Sequence, residues 1–348
     1  MAPQNKSDLL AEFERTGAIV LKGVLSSTDV AALRDEIQAG FVPLDRRANG
    51  AFVRSLSAAM VMRLPGVMRT ILSPRIVAAL KTILEAHYAI VPDFHVQRNM
   101  YDFTDTSRSA THLFGLIGSG WHHDAGHEGA KLYLFDRRYR MVKCGLYLQD
   151  NTLELGGGIE TAPMGHKLPL RTAANRLNYV AMRLWQNYRI LTGRRTLDLN
   201  AGDFVAFDAH LPHRGCLPHG LLDQLSAAEK AAGCVRLPPE RSKLVIYFNA
   251  SRQALAQTYM RHSLSRGIAE WEGLDAGAGN EIFFSDFPGL RYPEDYPPYF
   301  VARLQAEGLT MTQLDGEELQ TAVQTRNAAL GHAAVRNYAA PGAVSSPG

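Results

Sequence analysis

Apolar positions recur at helical intervals along the first ninety residues, interrupted by one continuous run. Leu9, Leu10 and Phe13 mark one side of a short helix, and the Ala-Ile-Val-Leu-Lys stretch at 18–22 reads as a strand. Ser26 with Asp29 fits a capping box ahead of a helix carrying Val30, Leu33 and Ile37. Ser73-Pro74 supplies an N-cap and a first-turn proline. Ile76, Val77, Leu80, Ile83 and Leu84 then repeat on one helical face. This opening predicts a small α/β shoulder.

The pattern shortens in the middle of the chain. Segments 95–101, 143–148, 158–161, 203–207 and 243–248 are short, apolar or alternating, and punctuated by Gly and Pro. Several such strands between about residues 90 and 250 predict a mainly β core with flanking helices, closed or double-sheeted like a jelly roll. Two helical insertions interrupt it. One spans roughly 171–192; the other is capped by Ser226 and Glu229 and ended by Gly233. Beyond 250 the chain turns helical and loop-rich. Pro297-Pro298 opens a helix that Gly308 closes, and Asp315 with Glu318 caps another closed by Gly331. The expected organisation is a domain over 1–250, an extension over 251–335 packed on it and available for a homodimer contact, and a disordered tail over 336–348.

Composition narrows the classes. The 348 residues are 46% hydrophobic, enough for a sizeable core, and the formal charge is only +3. So small an excess gives no reason to expect nucleic acid or an anionic membrane as partner. No apolar run is long enough to span a bilayer, and the first residues lack a signal peptide's pattern. Cys144, Cys216 and Cys234 are odd in number and widely spaced, which predicts reduced thiols and a cytoplasmic protein.

Candidate chemistry concentrates in two places. Trp121-His122-His123-Asp124 offers His-x-Asp, and residues two apart on an extended strand share a face, so His122 and Asp124 could grip one ion. A third ligand could come from the loop bearing His210, His213 and His219. Two imidazoles and one carboxylate on one face of an octahedral ion form the ligand set of non-haem Fe(II) oxygenases. Arg241 stands at the mouth of an apolar strand, where its planar fork could hold a carboxylate bidentately; Lys243, two residues on and on the same face, is its rival. The stretch Gly156-Gly-Gly-Ile-Glu-Thr-Ala-Pro-Met-Gly-His-Lys167 reads as a tight hairpin without direct catalytic chemistry.

Four stretches together resemble the phytanoyl-CoA dioxygenase family of Fe(II)/2-oxoglutarate oxygenases. They are the opening from Phe13 to Leu25 with the helix through Asp35, the Trp121–Asp124 motif, the Gly156–Lys167 turn, and the distal half, Gly202–Gly215 with Arg241–Phe248. Met164 and Gly165 depart from the family's usual Gly-Ser pair. The resemblance implies a double-stranded β-helix, Fe(2+) bound by His122, Asp124 and His213, and 2-oxoglutarate anchored by Arg241. Family members carry the arginine closer behind the distal histidine; here it follows 28 residues later. The capped helix near 226–232 explains the gap as an insertion.

The implied reaction consumes O2, releases succinate and CO2, and oxidises a C–H bond of a small organic substrate. Asp124 retains the carboxylate that related halogenases lack, which favours hydroxylation, desaturation or ring closure over halogenation. A cupin-like metalloenzyme that does not use 2-oxoglutarate is the competing reading. Gln97, Asn99 and Tyr147 are candidate contacts to the cosubstrate or to the metal ligands. The stretch Thr104–Gly120 could form a lid. Arg183, Trp185 and Tyr188 on the 171–192 insertion could line a pocket, although an aromatic pair in a helix more often belongs to a core.

Overall fold

The computed structural model describes residues 6–47, 55–56, 58–99, 101–102, 120–124, 140–151, 156–167, 175–216, 220, 223, 225–232, 234–235, 243–253, 256–257, 293–294 and 296–312. Helices α1 (Lys6–Thr16), α2 (Ser27–Arg47), α3 (Ala58–Val61), α4 (Pro65–Ile71) and α5 (Pro74–Ile83) form the shoulder, with strand β1 (Ala18–Leu21) between the first two. The capping box before α2 is present. The Asp29 amide donates to Ser26 Oγ at 3.1 Å, and the Ser26 amide donates back to Asp29 Oδ2 at 3.2 Å. In α1, Leu9 and Phe13 are buried but Leu10 is exposed, because one helical residue rotates about 100° away from its neighbour. Ser73 takes the extended N-cap conformation before Pro74, yet its hydroxyl forms no cap bond. Pro74 at the first helical position leaves one fewer amide in need of a cap.

The remaining strands are β2 (Ser55–Leu56), β3 (Ala89–Asn99), β4 (Tyr101–Asp102), β5 (Met141–Tyr147), β6 (Ile159–Thr161), β7 (Arg195–Thr196), β8 (Phe204–Asp208), β9 (His213–Gly215), β10 (Cys234–Val235), β11 (Lys243–Ser251) and β12 (Thr310–Met311). A seven-stranded sheet runs β1-β8-β5-β11-β3-β12, with β2 also on β3. A smaller sheet has the order β7-β6-β9, and β10 pairs with β4. Helix α6 (Asn175–Gly193) occupies the longer insertion, and α7 (Ala227–Ala232) precedes β10.

Alternation along the strands sorts two separate cores. On β11, Leu244, Ile246, Phe248 and Ala250 join the shoulder helices in one cluster. Val245 and Tyr247 face the other way, with Tyr147, Val205 and Phe207, against Ile159, Leu197, Leu199 and Leu211 beside the small sheet. Two sheets enclosing their own core, with helices on the outer face of the larger one, form the jelly-roll double-stranded β-helix. A polar clamp ties the shoulder to it. Buried Asp203 accepts from the amides of Gly23 (2.7 Å) and Asn200 (2.8 Å) and from Lys22 Nζ (2.9 Å).

The outer core continues into the last described residues. In α8 (Pro298–Ala306), Phe300 and Leu304 are buried, and Phe300 meets Phe94 edge-on at 6.1 Å. β12 then pairs in parallel with Ala89 and Ile90 at the start of β3. The expected helix from Asp315 to Gly331 and the tail lie outside the described residues. Among the described residues no helix is long and apolar enough to cross a membrane.

Replacing Phe300 with Ala should cost about 3–5 kcal/mol, because a buried aromatic leaves a cavity. Urea unfolding measures it; a loss below about 1 kcal/mol would show that α8 is not part of the core.

Candidate metal centre

Two segments distant in sequence are zipped together at the end of the small sheet. His122 and His213 exchange both backbone hydrogen bonds, at 3.0 and 2.9 Å, as an antiparallel pair. The Asp124 amide then donates to the Ala209 carbonyl at 2.8 Å. This register places His122, Asp124 and His213 together. One ligand atom from each lies within 4.8 Å of the others, and His213 Nε2 is 3.6 Å from Asp124 Oδ2. Ligands bound at about 2.1 Å on adjacent octahedral corners stand roughly 3 Å apart, so small side-chain rotations would close the three onto an ion.

The histidine tautomers suit this role. His122 Nδ1 faces the Gly120 carbonyl at 2.7 Å, and His213 Nδ1 faces the Leu211 carbonyl at 2.9 Å. A carbonyl only accepts, so each Nδ1 carries the proton and each Nε2 keeps its lone pair for a metal. Burial, reinforced by the neighbouring His122 and opposed by Asp124, pushes the His213 pKa down to about 3, so the ring is neutral at physiological pH. His123 is not part of the group. Burial first, then Arg183 and His210, hold its pKa well below the ordinary histidine value.

The supporting residues come from both sheets. β6 pairs with β9, so Thr161 stands opposite His213. The turn after β6 reaches the distal loop, where the Ala162 amide donates to the Pro212 carbonyl at 2.9 Å. In that turn Met164 takes φ +66°, while a Cβ on Gly165 would come within 2.6 Å of Pro212 Cδ. The departure from the family's turn therefore puts a long side chain on the residue with the left-handed conformation and places a glycine where the loops touch.

His210, one of the three histidines of the distal loop, is buried and bonded through Nδ1 to Asp208 Oδ1 at 2.9 Å. Its carbonyl accepts from Gln186 of α6 at 3.1 Å. Burial raises the Asp208 pKa, but hydrogen bonds and charge from His210 outweigh it and lower the value overall. On α6, Trp185 Nε1 donates to the Met164 carbonyl at 2.8 Å, so that helix braces the turn. Tyr188 is 53% exposed and belongs to no core.

The other candidates face the barrel or fall outside the description. Tyr147 is buried, and its hydroxyl is hydrogen-bonded with that of Tyr247; burial raises both pKa values. Gln97 stands opposite Val245 in the sheet, and the backbone of Asn99 opposite Lys243. Arg241, His219 and residues 104–119 lie outside the described residues. One participant was missed in the sequence. Lys143 Nζ lies 3.1 Å from Asp124 Oδ2 and 5.4 Å from the centroid of the Tyr247 ring. The available signal was alternation, since Lys143 lies an even number of strand positions before Tyr147.

Anaerobically purified protein should take up one Fe(II) or Co(II) per chain. His122→Ala and His213→Ala should each weaken that uptake by on the order of 100-fold or more, whereas His123→Ala should leave it intact. Metal analysis after equilibrium dialysis measures both.

No curated protein sequence matches the chain. Among solved structures, it is similar to the epimerase SnoN in complex with Fe3+, alpha ketoglutarate and nogalamycin RO, at 18% identity and TM-score 0.44, over 72% of this chain and 89% of that one. It is similar to HygX from Streptomyces hygroscopicus with nickel and 2-oxoglutarate bound, at 18% identity and TM-score 0.44, over 72% and 88%. It is also similar to AviO1 from Streptomyces viridochromogenes, at 12% identity and TM-score 0.45, over 73% and 98%. A family model matches residues 13–216, from α1 through the His-x-Asp segment to the strand of the distal histidine, and by that match the chain belongs to the phytanoyl-CoA dioxygenase (PhyH) family.

Proposed function

We propose that this protein is an Fe(II)/2-oxoglutarate-dependent oxygenase that hydroxylates an unactivated C–H bond of a small organic metabolite. The observation that carries the reading is the convergence of His122, Asp124 and His213, with both Nε2 atoms left free by the carbonyls behind them. Two imidazoles and a carboxylate suit Fe(II) and would leave one face of an octahedral ion for other ligands. Iron with 2-oxoglutarate, when bound, supplies oxidative C–H cleavage coupled to release of succinate and CO2.

The chain's own residues position and enclose that chemistry. The Gly120 and Leu211 carbonyls fix the imidazole tautomers. Lys143 holds one oxygen of Asp124 by charge, which orients the carboxylate for the other ligands. Val205, Phe207, Leu211 and Val245 make the interior wall apolar, which excludes bulk water from the reacting end. Arg241, two residues before β11 in the sequence, is assigned the far carboxylate of 2-oxoglutarate, for which a planar charged fork gives a bidentate grip. Asp124 keeps the carboxylate ligand, which supports hydroxylation over halogenation.

Succinate should form only when Fe(II), 2-oxoglutarate, O2 and a substrate are all present, and a screen of candidate metabolites for 2-oxoglutarate-coupled turnover tests this. Asp124→Ala should abolish product formation. Arg241→Ala should raise the 2-oxoglutarate concentration for half-maximal rate by roughly 10- to 100-fold with a smaller effect on the maximal rate. Succinate release without iron, or an Asp124→Ala variant as active as the wild type, would refute the reading.

A further inference from the structure

Helix α6 turns its amphipathicity inside out. A surface helix normally buries its apolar stripe and exposes its polar face. In α6 the buried face carries Gln186 and Asn187 beside Met182 and Ile190. Gln186 Nε2 donates to the His210 carbonyl at 3.1 Å, and Arg189 Nε donates to the Pro163 carbonyl at 2.8 Å. The outer face carries Leu177, Leu184, Tyr188 and Leu191, exposed by 50%, 46%, 53% and 65%. Seven large apolar side chains are exposed among the described residues, and these are four of them. At about 100° per residue the four fall within roughly 60° of one another around the helix, and half-buried Val180 and Ala181 widen the arc to roughly 100°. The arc holds no charged residue and runs about 21 Å along the axis. Trp185 borders it, with its ring 5.7 Å from that of Tyr188.

Charge marks the same segment. The chain as a whole is only +3, but residues 167–196 hold seven Lys and Arg and no Asp or Glu, so this stretch is +7 and the remainder of the chain −4. The balanced total conceals the asymmetry. Arg194 and Arg195 follow the last turn of α6, Lys167 ends the turn that α6 braces, and all three are exposed. A second copy docking through this face would set one basic segment against another, which opposes it. A ridge of six side chains is also far short of the roughly 20–30 residues a side of a stable protein interface. A lipid surface needs no matching relief. Leucine and tyrosine enter the boundary between headgroups and acyl chains, while arginine and lysine stay among anionic headgroups.

We propose that the outer face of α6 is a docking surface for an anionic lipid bilayer, with the helix lying in the plane of the interface. Leu177, Leu184, Tyr188 and Leu191 are the inserted side chains, and Lys167, Arg194 and Arg195 meet the headgroups. The helix does not span the bilayer. Its inner face stays on the protein, held by the bonds to the Met164, Pro163 and His210 carbonyls. Attachment of this kind takes two signals, since neither one apolar stripe nor one basic patch anchors firmly alone. Binding therefore needs acidic lipid and weakens as salt screens the charges. The proposal is independent of the enzymatic reading, because it requires neither iron nor turnover.

Flotation of the full chain with vesicles of phosphatidylcholine, alone or mixed with phosphatidylserine, tests this. The wild type should bind the acidic vesicles about 10-fold or more tightly than the neutral ones, and raising salt from about 0.1 to about 0.5 M should remove most of that difference. The double variants Leu184→Gln/Leu191→Gln and Arg194→Gln/Arg195→Gln should each weaken binding to acidic vesicles by about 10-fold or more. Neither should lower the melting temperature, since all four side chains are exposed. Leu184→Phe/Leu191→Phe, which keeps the face apolar, should float like the wild type. Emission from a Tyr188→Trp variant should be quenched by brominated acyl chains beyond any quenching of the wild type's own tryptophans, which identifies α6 as the inserted surface. Absence of flotation with acidic vesicles, or Gln variants that float like the wild type, overturns the proposal. A wild type that sediments as a dimer, with Leu184→Gln/Leu191→Gln sedimenting as a monomer, gives the face to a second copy and also overturns it. So does failure to float combined with saturable binding of calcium-loaded calmodulin, an acidic protein with an apolar groove, which gives the face to a protein partner.

Discussion

The two-way backbone exchange between His122 and His213 is the contact on which the rest of the centre depends. It is a single antiparallel bridge between a short segment and the edge of the small sheet. Because the amides and carbonyls are mutually satisfied, neither residue can shift along the other without breaking both hydrogen bonds. The bridge brings the imidazole ring centroids to 4.3 Å and, through the Asp124–Ala209 bond, fixes the carboxylate on the same side. Side-chain placement thus follows from backbone register, which is stiffer than any contact between side chains.

The separation of two cores makes the interior usable. The outer face of the large sheet is filled by the shoulder helices and α8, and that packing supplies the bulk of the apolar burial. The inner face can then carry polar groups within its smaller core: Lys143, Lys243 and the hydroxyls of Tyr147 and Tyr247. Burying lysine and tyrosine costs free energy, and the pKa displacements of Lys243 and both tyrosines express that cost. A fold stabilised mainly from one side of its sheet tolerates polar strain on the other.

The barrel interior has a polar gradient. Near the triad, Lys143 is neutralised by Asp124 and lies over the Tyr247 ring. Tyr247 is hydrogen-bonded to Tyr147, and the Tyr147 ring lies under Lys243. Two lysines thus stand at opposite ends of a tyrosine pair, and among the described residues only Lys143 is paired with a carboxylate.

Local chemistry was legible along the chain. The Ser26–Asp29 cap, Pro74 at a helix start, the Pro297-Pro298 opening and Gly308 closing of α8, and the strand segments near 95, 143, 159, 204 and 243 all depend on neighbours a few residues away. So does the pairing of His122 with Asp124, which needs only two positions on an extended backbone. Periodicity marked Leu9, Leu10 and Phe13 as one side of α1, but Leu10 lies outside the buried arc. Three things required the tertiary structure. The resemblance already singled out His213 among the histidines of the distal loop, but its backbone pairing with His122 belongs to the tertiary structure. The role of Lys143 depended on a strand register joining it to Asp124. The position of Lys243 over Tyr147 depended on two sheets closing around one interior. Sequence fixes what each residue can donate, accept or bury, whereas only the closed fold decides which of those capacities meet, because the meeting partners are set by pairing between strands far apart in the chain.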